Sequence, residues 1–287
     1  MFITCSLYNI NIQQGNTRCI LAGILSIQLK SLMGDKETNL KKVEHYIKFN
    51  RDKKLDLVVL PEFFSTNIAY KDSPEDENGG DTIKFIQELA KKYNTNIVAG
   101  SVVRKIDEKL YNTSFAIDRS GEIIAKYDKI HLFNYMGGTE GERITAGDKL
   151  VIAHFDFAKV GIAICYDIRY PLMMKNLVKQ GAQIVVLPTA WLVTKEVYND
   201  EQSRKYAQEM WLALNRTRAF DNMVYLVVSN QTKDTNGEWY GLGYSSIISP
   251  TAQIMAYAQE KEEAIYADVD IDSVKYLKSI YPIAEID

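Results

Sequence analysis

The sequence predicts an α/β fold, and three observations carry that reading. Strand-like apolar runs alternate with helical stripes along the chain. Two of the runs, Leu55–Leu60 and Gln183–Leu187, are short and almost continuously apolar, as strands covered on both faces are. Finally, Asp56-Leu-Val-Val-Leu-Pro-Glu62 is echoed by Gln183-Ile-Val-Val-Leu-Pro-Thr189 about half a chain length later. Two unrelated buried strands would give this echo. So would a pseudo-duplicated sandwich in which each of two sheets sends one strand end to a shared site. Ligands of α/β proteins gather at the carboxyl ends of strands, which makes Glu62 a candidate acid–base group on one copy only.

The elements follow in order. Ile20–Gln28 reads as a buried strand. Asp35 is a helix cap, followed by the stripe Leu40, Val43, Tyr46 and Ile47. After the loop 72–81, Asp81 is read as the cap of a second helix with Ile83, Ile86, Leu89, Ala90 and Tyr93 on one face. Asn96–Val103, Tyr111–Ile117 and Glu122–Tyr127 read as strands, with turns at Asp107-Glu108 and Ser120-Gly121. Asn134–Asp148 is a long glycine-rich loop, and loops of that length inside a domain are usually functional. Val151–Phe155 and Val160–Ile164 are strands, and Pro171 suits the first position of a helix. A long helix spans roughly 201–220, with Tyr206, Met210, Ala213, Leu214 and Thr217 on one side. Met223–Ser229, Tyr244–Ser249, Gln253–Tyr257 and Ala264–Val269 complete the strands.

Composition narrows the function classes. The 287 residues carry 34 Lys+Arg against 37 Asp+Glu, a net charge of −3, with 46% hydrophobic residues. That excludes a disordered tail, a collagen-like fibre and a strongly basic nucleic-acid binder. No linker interrupts the pattern, so residues 19–287 are expected to form one domain behind an extension, residues 1–18. Cys19–Leu29 follows Arg18 like a weak signal peptide, but it is short of the roughly 20 residues of a membrane span and is better read as the first strand. The three cysteines, Cys5, Cys19 and Cys165, cannot make a disulfide framework and point to a reducing, cytoplasmic compartment. No His/Cys spacing suits a metal, and no glycine-rich turn opening a helix suits a nucleotide, so neither metal nor cofactor is expected.

Cys165 ends the strand Val160–Ile164 just before a helix start. A nucleophile on a strand-to-helix turn is exposed beside backbone N–H groups, and a helix N-terminus favours its thiolate. A cysteine on an apolar strand is otherwise ordinary core. A base is needed. Of His45, His131 and His154, only His131 lies beside a loop, so a Cys165–His131 pair is one possibility.

Three segments settle the assignment further. Pro61-Glu62-Phe63-Phe64, Lys129-Ile-His-Leu-Phe133 and Cys165-Tyr-Asp-Ile-Arg-Tyr-Pro171 resemble, in order and near their spacings, the signatures of the carbon–nitrogen hydrolase (nitrilase) superfamily. Asn215–Asn222 and Gly243–Pro250 resemble two further segments, so the likeness covers about residues 20–269. The resemblance implies a four-layer αββα sandwich of two mixed sheets with helices on the outer faces, assembled as a homodimer or larger oligomer. It implies a triad of Glu62, Lys129 and Cys165 that hydrolyses a small carboxamide with water. Cysteine forms a thioester, Glu62 moves protons, and Lys129 with the Tyr166 N–H holds the oxyanion. It also implies an accessory glutamate in the long loop, Glu140 or Glu142, with Glu140 preferred.

Cys-Tyr-Asp-Ile-Arg looks most like the omega-amidase-like branch, whose substrates are linear amides bearing a carboxylate. N-carbamoyl amide hydrolases are the nearest rival, and a non-catalytic nitrilase-fold binding module is the alternative from another class. The chain departs from the branch at Leu172, where glutamate is common, and at Thr189-Ala190-Trp191, where a small residue before Phe-Asn is usual. Ala190 and Trp191, with Tyr166, are the candidate substrate-binding residues, although Trp191 could equally be core. Arg169 either binds a carboxylate or pairs with Asp167 or Asp221.

Overall fold

The computed structural model describes residues 21–72, 74–233 and 239–282. The expected extension, with Cys5 and Cys19, lies outside the described residues. The elements in order are β1 (Leu21–Gln28), α1 (Lys36–Phe49), β2 (Leu57–Val59), α2 (Gly80–Tyr93), β3 (Asn96–Val98), β4 (Val102–Ile106), β5 (Lys109–Ile117) and β6 (Ile123–Asp128). The second half holds β7 (Ile152–His154), β8 (Lys159–Ile162), α3 (Pro171–Lys179), β9 (Ile184–Thr189), β10 (Leu192–Thr194), α4 (Lys195–Asn199) and α5 (Glu201–Asn222). It closes with β11 (Tyr225–Asn230), β12 (Trp239–Gly241), β13 (Ser246–Ile248), β14 (Ile254–Tyr257), β15 (Glu263–Asp270) and α6 (Ile271–Ile280).

Alternation of side chains along the strands builds the layers. In β1, β2 and β3, Ile24, Leu57, Val59 and Val98 face a core shared with Val160, Ile162, Val186 and Val228 of the other half. Their neighbours Leu25, Ile27, Val58, Leu60 and Ile97 turn the other way, onto Val43 and Ile47 of α1 and Ile83 and Ile86 of α2. The first sheet runs β15-β1-β2-β3-β5-β4 with β6 on β5, and the second runs β14-β13-β11-β9-β8-β7. Each has a parallel centre and antiparallel flanks. Helices α3 and α5 cover the second sheet, giving the expected αββα sandwich. Two reciprocal hydrogen bonds join the sheets, Ser26 Oγ to Val228 O at 2.7 Å and Ser229 Oγ to Ile27 O at 2.6 Å. The echo strands β2 and β9 lie at the parallel centre of their respective sheets, as the duplicated-sandwich reading requires.

The sequence reading needs correction in three places. Asp81 does not cap α2: Gly79 does, in a left-handed conformation, while Asp76 accepts from the N–H groups of Asn78 and Gly80. A Cβ at Gly79 would lie 2.1 Å from Ile83, so only glycine fits. Second, Asn96–Val103 is two strands, β3 and β4, broken at Gly100, where a Cβ would strike Pro61 O at 2.0 Å. Third, α5 is rotated from the expected stripe. It buries Gln208, Trp211, Asn215 and Ala219 and leaves Tyr206, Met210 and Phe220 exposed. Gln208 on the inner face has a partner, donating to Glu260 at 2.9 Å, whereas the buried Asn215 side chain has none among the described residues.

Candidate active site

Four chain segments bring the predicted residues together. After β2, Pro61 leads into Glu62, and Phe63 then takes φ 53°. That turn is held from both sheets: Phe63 N–H donates to Ser101 Oγ at 3.1 Å, and Gln231 Nε2 donates to Glu62 O at 3.0 Å. The break between β3 and β4 makes room for it. Lys129 directly follows β6, with its N–H on Asn112 O and its carbonyl accepting from Gly147 N–H, both at 2.9 Å. Cys165 sits past β8 at φ 48° and opens a 3₁₀ turn, Cys165–Arg169. Left-handed backbone at a side-chain-bearing residue costs about 1–3 kcal/mol and clusters at functional sites. Here the residue after the acid and the cysteine itself both adopt it.

Lys129 and Glu62 are 2% exposed and Glu140 9%, so water screens none of their charges. Lys129 Nζ lies 2.9 Å from Glu62 Oε1 and 2.8 Å from Glu140 Oε2. Asn112 Nδ2 donates to Glu62 Oε1 at 2.9 Å and to Glu140 Oε1 at 3.0 Å. Ala190 N–H, at the end of the echo strand β9, donates to Glu62 Oε2 at 2.9 Å. Thus the two echo strands do converge on one point. Glu140 is fixed again by the Phe133 N–H at 2.8 Å, whereas Glu142 faces solvent. The Cys165 thiol lies beside the Glu62 carboxylate and the Ala190 N–H.

Burial pushes the Cys165 thiol well above its ordinary range, and the Glu62 charge adds to it; Lys129 opposes both without overcoming them. The helix-terminus effect expected to favour a thiolate is therefore outweighed, and the resting group is a thiol beside a base. Burial disfavours the Lys129 ammonium, but Glu62 and Glu140 outweigh it and hold Lys129 charged, well above the usual lysine range. Burial likewise disfavours the Glu140 carboxylate, and Lys129 overcomes it, holding Glu140 below the usual range.

His131 is not the cysteine's partner. Its Nδ1 lies 2.7 Å from Asp167 Oδ1, and its ring stacks on Tyr170 at 3.4 Å. Asp167 is fully buried and accepts from the Tyr127 hydroxyl at 2.7 Å and from the Ile164 N–H at 2.8 Å. This network ties the segment after Lys129 to the turn bearing Cys165. Burial, then the Asp167 charge, holds Tyr127 protonated. Sequence reading missed Asn112, Tyr127 and this use of Asp167. One signal was available: Asn112, Thr113 and Ser114 are consecutive polar residues in an otherwise apolar strand, breaking the alternation.

At the rim, the Tyr166 ring contacts Phe133 and Tyr135, with centroids 5.3 and 5.8 Å away. Trp191 packs as core on one face, stacked on the buried Trp211 at 4.4 Å, and the Arg169 guanidinium lies 5.3 Å over its ring. Arg169 is exposed and ion-paired with no carboxylate among the described residues. Asp167 is taken by the network above, and Asp221 faces Arg218 at 3.4 Å.

A buried glutamate–lysine–cysteine cluster thus lies at the strand ends of an αββα sandwich. The carbon-nitrogen hydrolase family profile matches residues 24–279, and the chain belongs to that family. Hydrolysis of amide carbon–nitrogen bonds is the general activity that membership carries. Nitrilase homolog 2 of Dictyostelium discoideum is 31% identical over 89% of this chain and 77% of its own length. Omega-amidase NIT3 of Saccharomyces cerevisiae is 28% identical over 90% of each chain. The crystal structure of Saccharomyces cerevisiae Nit3, a member of branch 10 of the nitrilase superfamily, superposes with a TM-score of 0.79 at 26% identity, covering 93% of this chain and 96% of that one. No described helix is long and apolar enough to cross a membrane, and no metal-ligand cluster occurs among the described residues.

Proposed function

We propose that the chain hydrolyses the terminal amide of a small, non-peptide, carboxylate-bearing carboxamide through a Cys165 thioester, releasing ammonia. The observation that carries this is the buried cluster in which Glu62 lies beside the Cys165 thiol and 2.9 Å from Lys129 Nζ. Glu62 takes the thiol proton as sulfur attacks the amide carbon. Lys129 has three donors and spends two on carboxylates, leaving the third for the developing oxyanion, together with the Tyr166 N–H. Such a fixed donor lowers the barrier by about 3 kcal/mol. Glu62 returns the proton to nitrogen, ammonia departs, and Glu62 activates the water that cleaves the thioester. Glu140 keeps Lys129 charged and in place.

The carboxylate preference rests on Arg169, four residues past the nucleophile, exposed and steadied on Trp191. The relatives named omega-amidase point the same way. Ammonia release from a panel of glutaramate-like, neutral and carbamoyl amides tests the reading. Preferred turnover of carboxylated amides is expected. Carbon dioxide released alongside ammonia would move the assignment to carbamoyl compounds, and no turnover on the whole panel would remove the amidase reading. The exposed face of α5, with Tyr206, Met210 and Phe220, supports assembly into a homodimer or larger oligomer. Sedimentation giving a monomer would refute that.

A further inference from the structure

We propose that Asn112 is a positioning residue that decides which oxygen of Glu62 exchanges the proton, an inference that rests on the role proposed for Glu62 above. Each carboxylate oxygen offers two lone pairs. Oε1 of Glu62 receives Lys129 Nζ and Asn112 Nδ2, each at 2.9 Å, and is filled. Oε2 accepts a single N–H among the described residues, that of Ala190 at 2.9 Å. One lone pair is left, on Oε2. The thiol proton of Cys165 therefore passes to Oε2 as the sulfur–carbon bond forms, and leaves Oε2 for the departing nitrogen as the carbon–nitrogen bond breaks.

Asn112 suits this task because of how it is held. Its two amide hydrogens go to two carboxylates, Glu62 at 2.9 Å and Glu140 at 3.0 Å. An amide turned the other way would aim its oxygen at both anions, so the network fixes its orientation. Its backbone carbonyl also carries the Lys129 N–H at 2.9 Å. The Oδ1 atom is buried with no partner among the described residues. A side chain chosen for stability would not leave that acceptor unsatisfied; one chosen to bridge two carboxylates from a single nitrogen does. Glu62, Glu140, Lys129 and Cys165 are the titratable groups facing it.

The test uses Asn112→Ala, Asn112→Asp and Asn112→Ser in the full chain. Asn112→Ala is expected to lower kcat roughly 10- to 100-fold, as loss of a hydrogen bond to a charged group does, with KM changed by no more than about threefold. The acid limb of kcat/KM moves to higher pH, because a donor that favoured the charged carboxylates is gone. Asn112→Asp adds a third carboxylate and moves the limb further. Asn112→Ser keeps a donor and brings it back toward wild type. The pH dependence of Cys165 alkylation by iodoacetamide gives the same comparison without any substrate, so it stands even if the amide panel fails. A lower melting temperature with the acid limb and alkylation profile unmoved would reduce Asn112 to a structural residue and overturn the proposal.

Discussion

Strand β2 carries an ion cluster at each end, and the two are built on opposite terms. At its amino end Asp56 accepts from the Gly23 N–H at 2.9 Å and faces Arg119 at 2.6 Å and Lys54 at 3.0 Å. Arg119 also holds Asp156 at 2.8 Å, and Asn96 bridges Asp56 O and Asp156 Oδ1. Two carboxylates meet two cations there, and both cations keep contact with water. At the carboxyl end two carboxylates share one lysine, all of it sealed from solvent, with an orphaned amide oxygen and left-handed backbone beside it. The first cluster matches its carboxylates with cations one for one; the second sets two carboxylates against a single lysine. The difference separates an arrangement that holds the fold from one that sacrifices stability for chemistry.

The sharpest way to break the comparison is at the carboxyl end. Cys165→Ala and Lys129→Ala should each reduce turnover by at least about a thousandfold, read as ammonia release from the best amide. Lys129→Ala should also lose about 3–5 kcal/mol of unfolding free energy, since it strands two buried carboxylates. Asp56→Ala inverts the pattern: about 3 kcal/mol lost in denaturant unfolding, with kcat per folded molecule unchanged. If Asp56→Ala silenced turnover in folded protein, the two ends would not be separable.

Arg169→Met extends the contrast to the rim. It should raise KM for carboxylated amides roughly tenfold or more, and leave neutral amides alone, as loss of one charge-assisted contact does. The pH dependence is smaller. Because Lys129 holds Glu140 below its ordinary value, that carboxylate contributes stability above the usual glutamate range, and the contribution is lost as pH falls through the lowered value. Glu140→Gln should flatten this acid slope in denaturation midpoints. The least perturbing experiment is spectroscopic. The raised Cys165 should show no thiolate absorbance at neutral pH relative to Cys165→Ala, and absorbance there would contradict the thiol resting state.

Much of this was legible in the sequence because it is written in periodicity and short motifs. The buried strands announce themselves through Val-Val-Leu-Pro, and Glu62, Lys129 and Cys165 each sit at a strand end within a signature segment. What escaped depends on contacts distant in sequence. The outward face of α5 follows from polar partners such as Glu260, which no helical stripe encodes. His131 goes to Asp167 because the 3₁₀ turn after Cys165 swings that carboxylate inward, and the turn is set by φ at a single residue. Asn112 looks like a flaw in a strand until the loop holding Glu140 folds over it.

The pairing of β1 with β15 reaches beyond chemistry. Leu21 lies opposite Asp270 and Gln28 opposite Glu263, so one of the first described strands is zipped along its length to the last. That edge can close only after Glu263–Asp270 has left the ribosome. The sheet bearing Glu62 stays open at that border until then, and contacts so distant along the chain make for slow folding. Loss of Glu263–Asp270, which carries none of the reacting groups, would leave β1 an aggregation-prone edge.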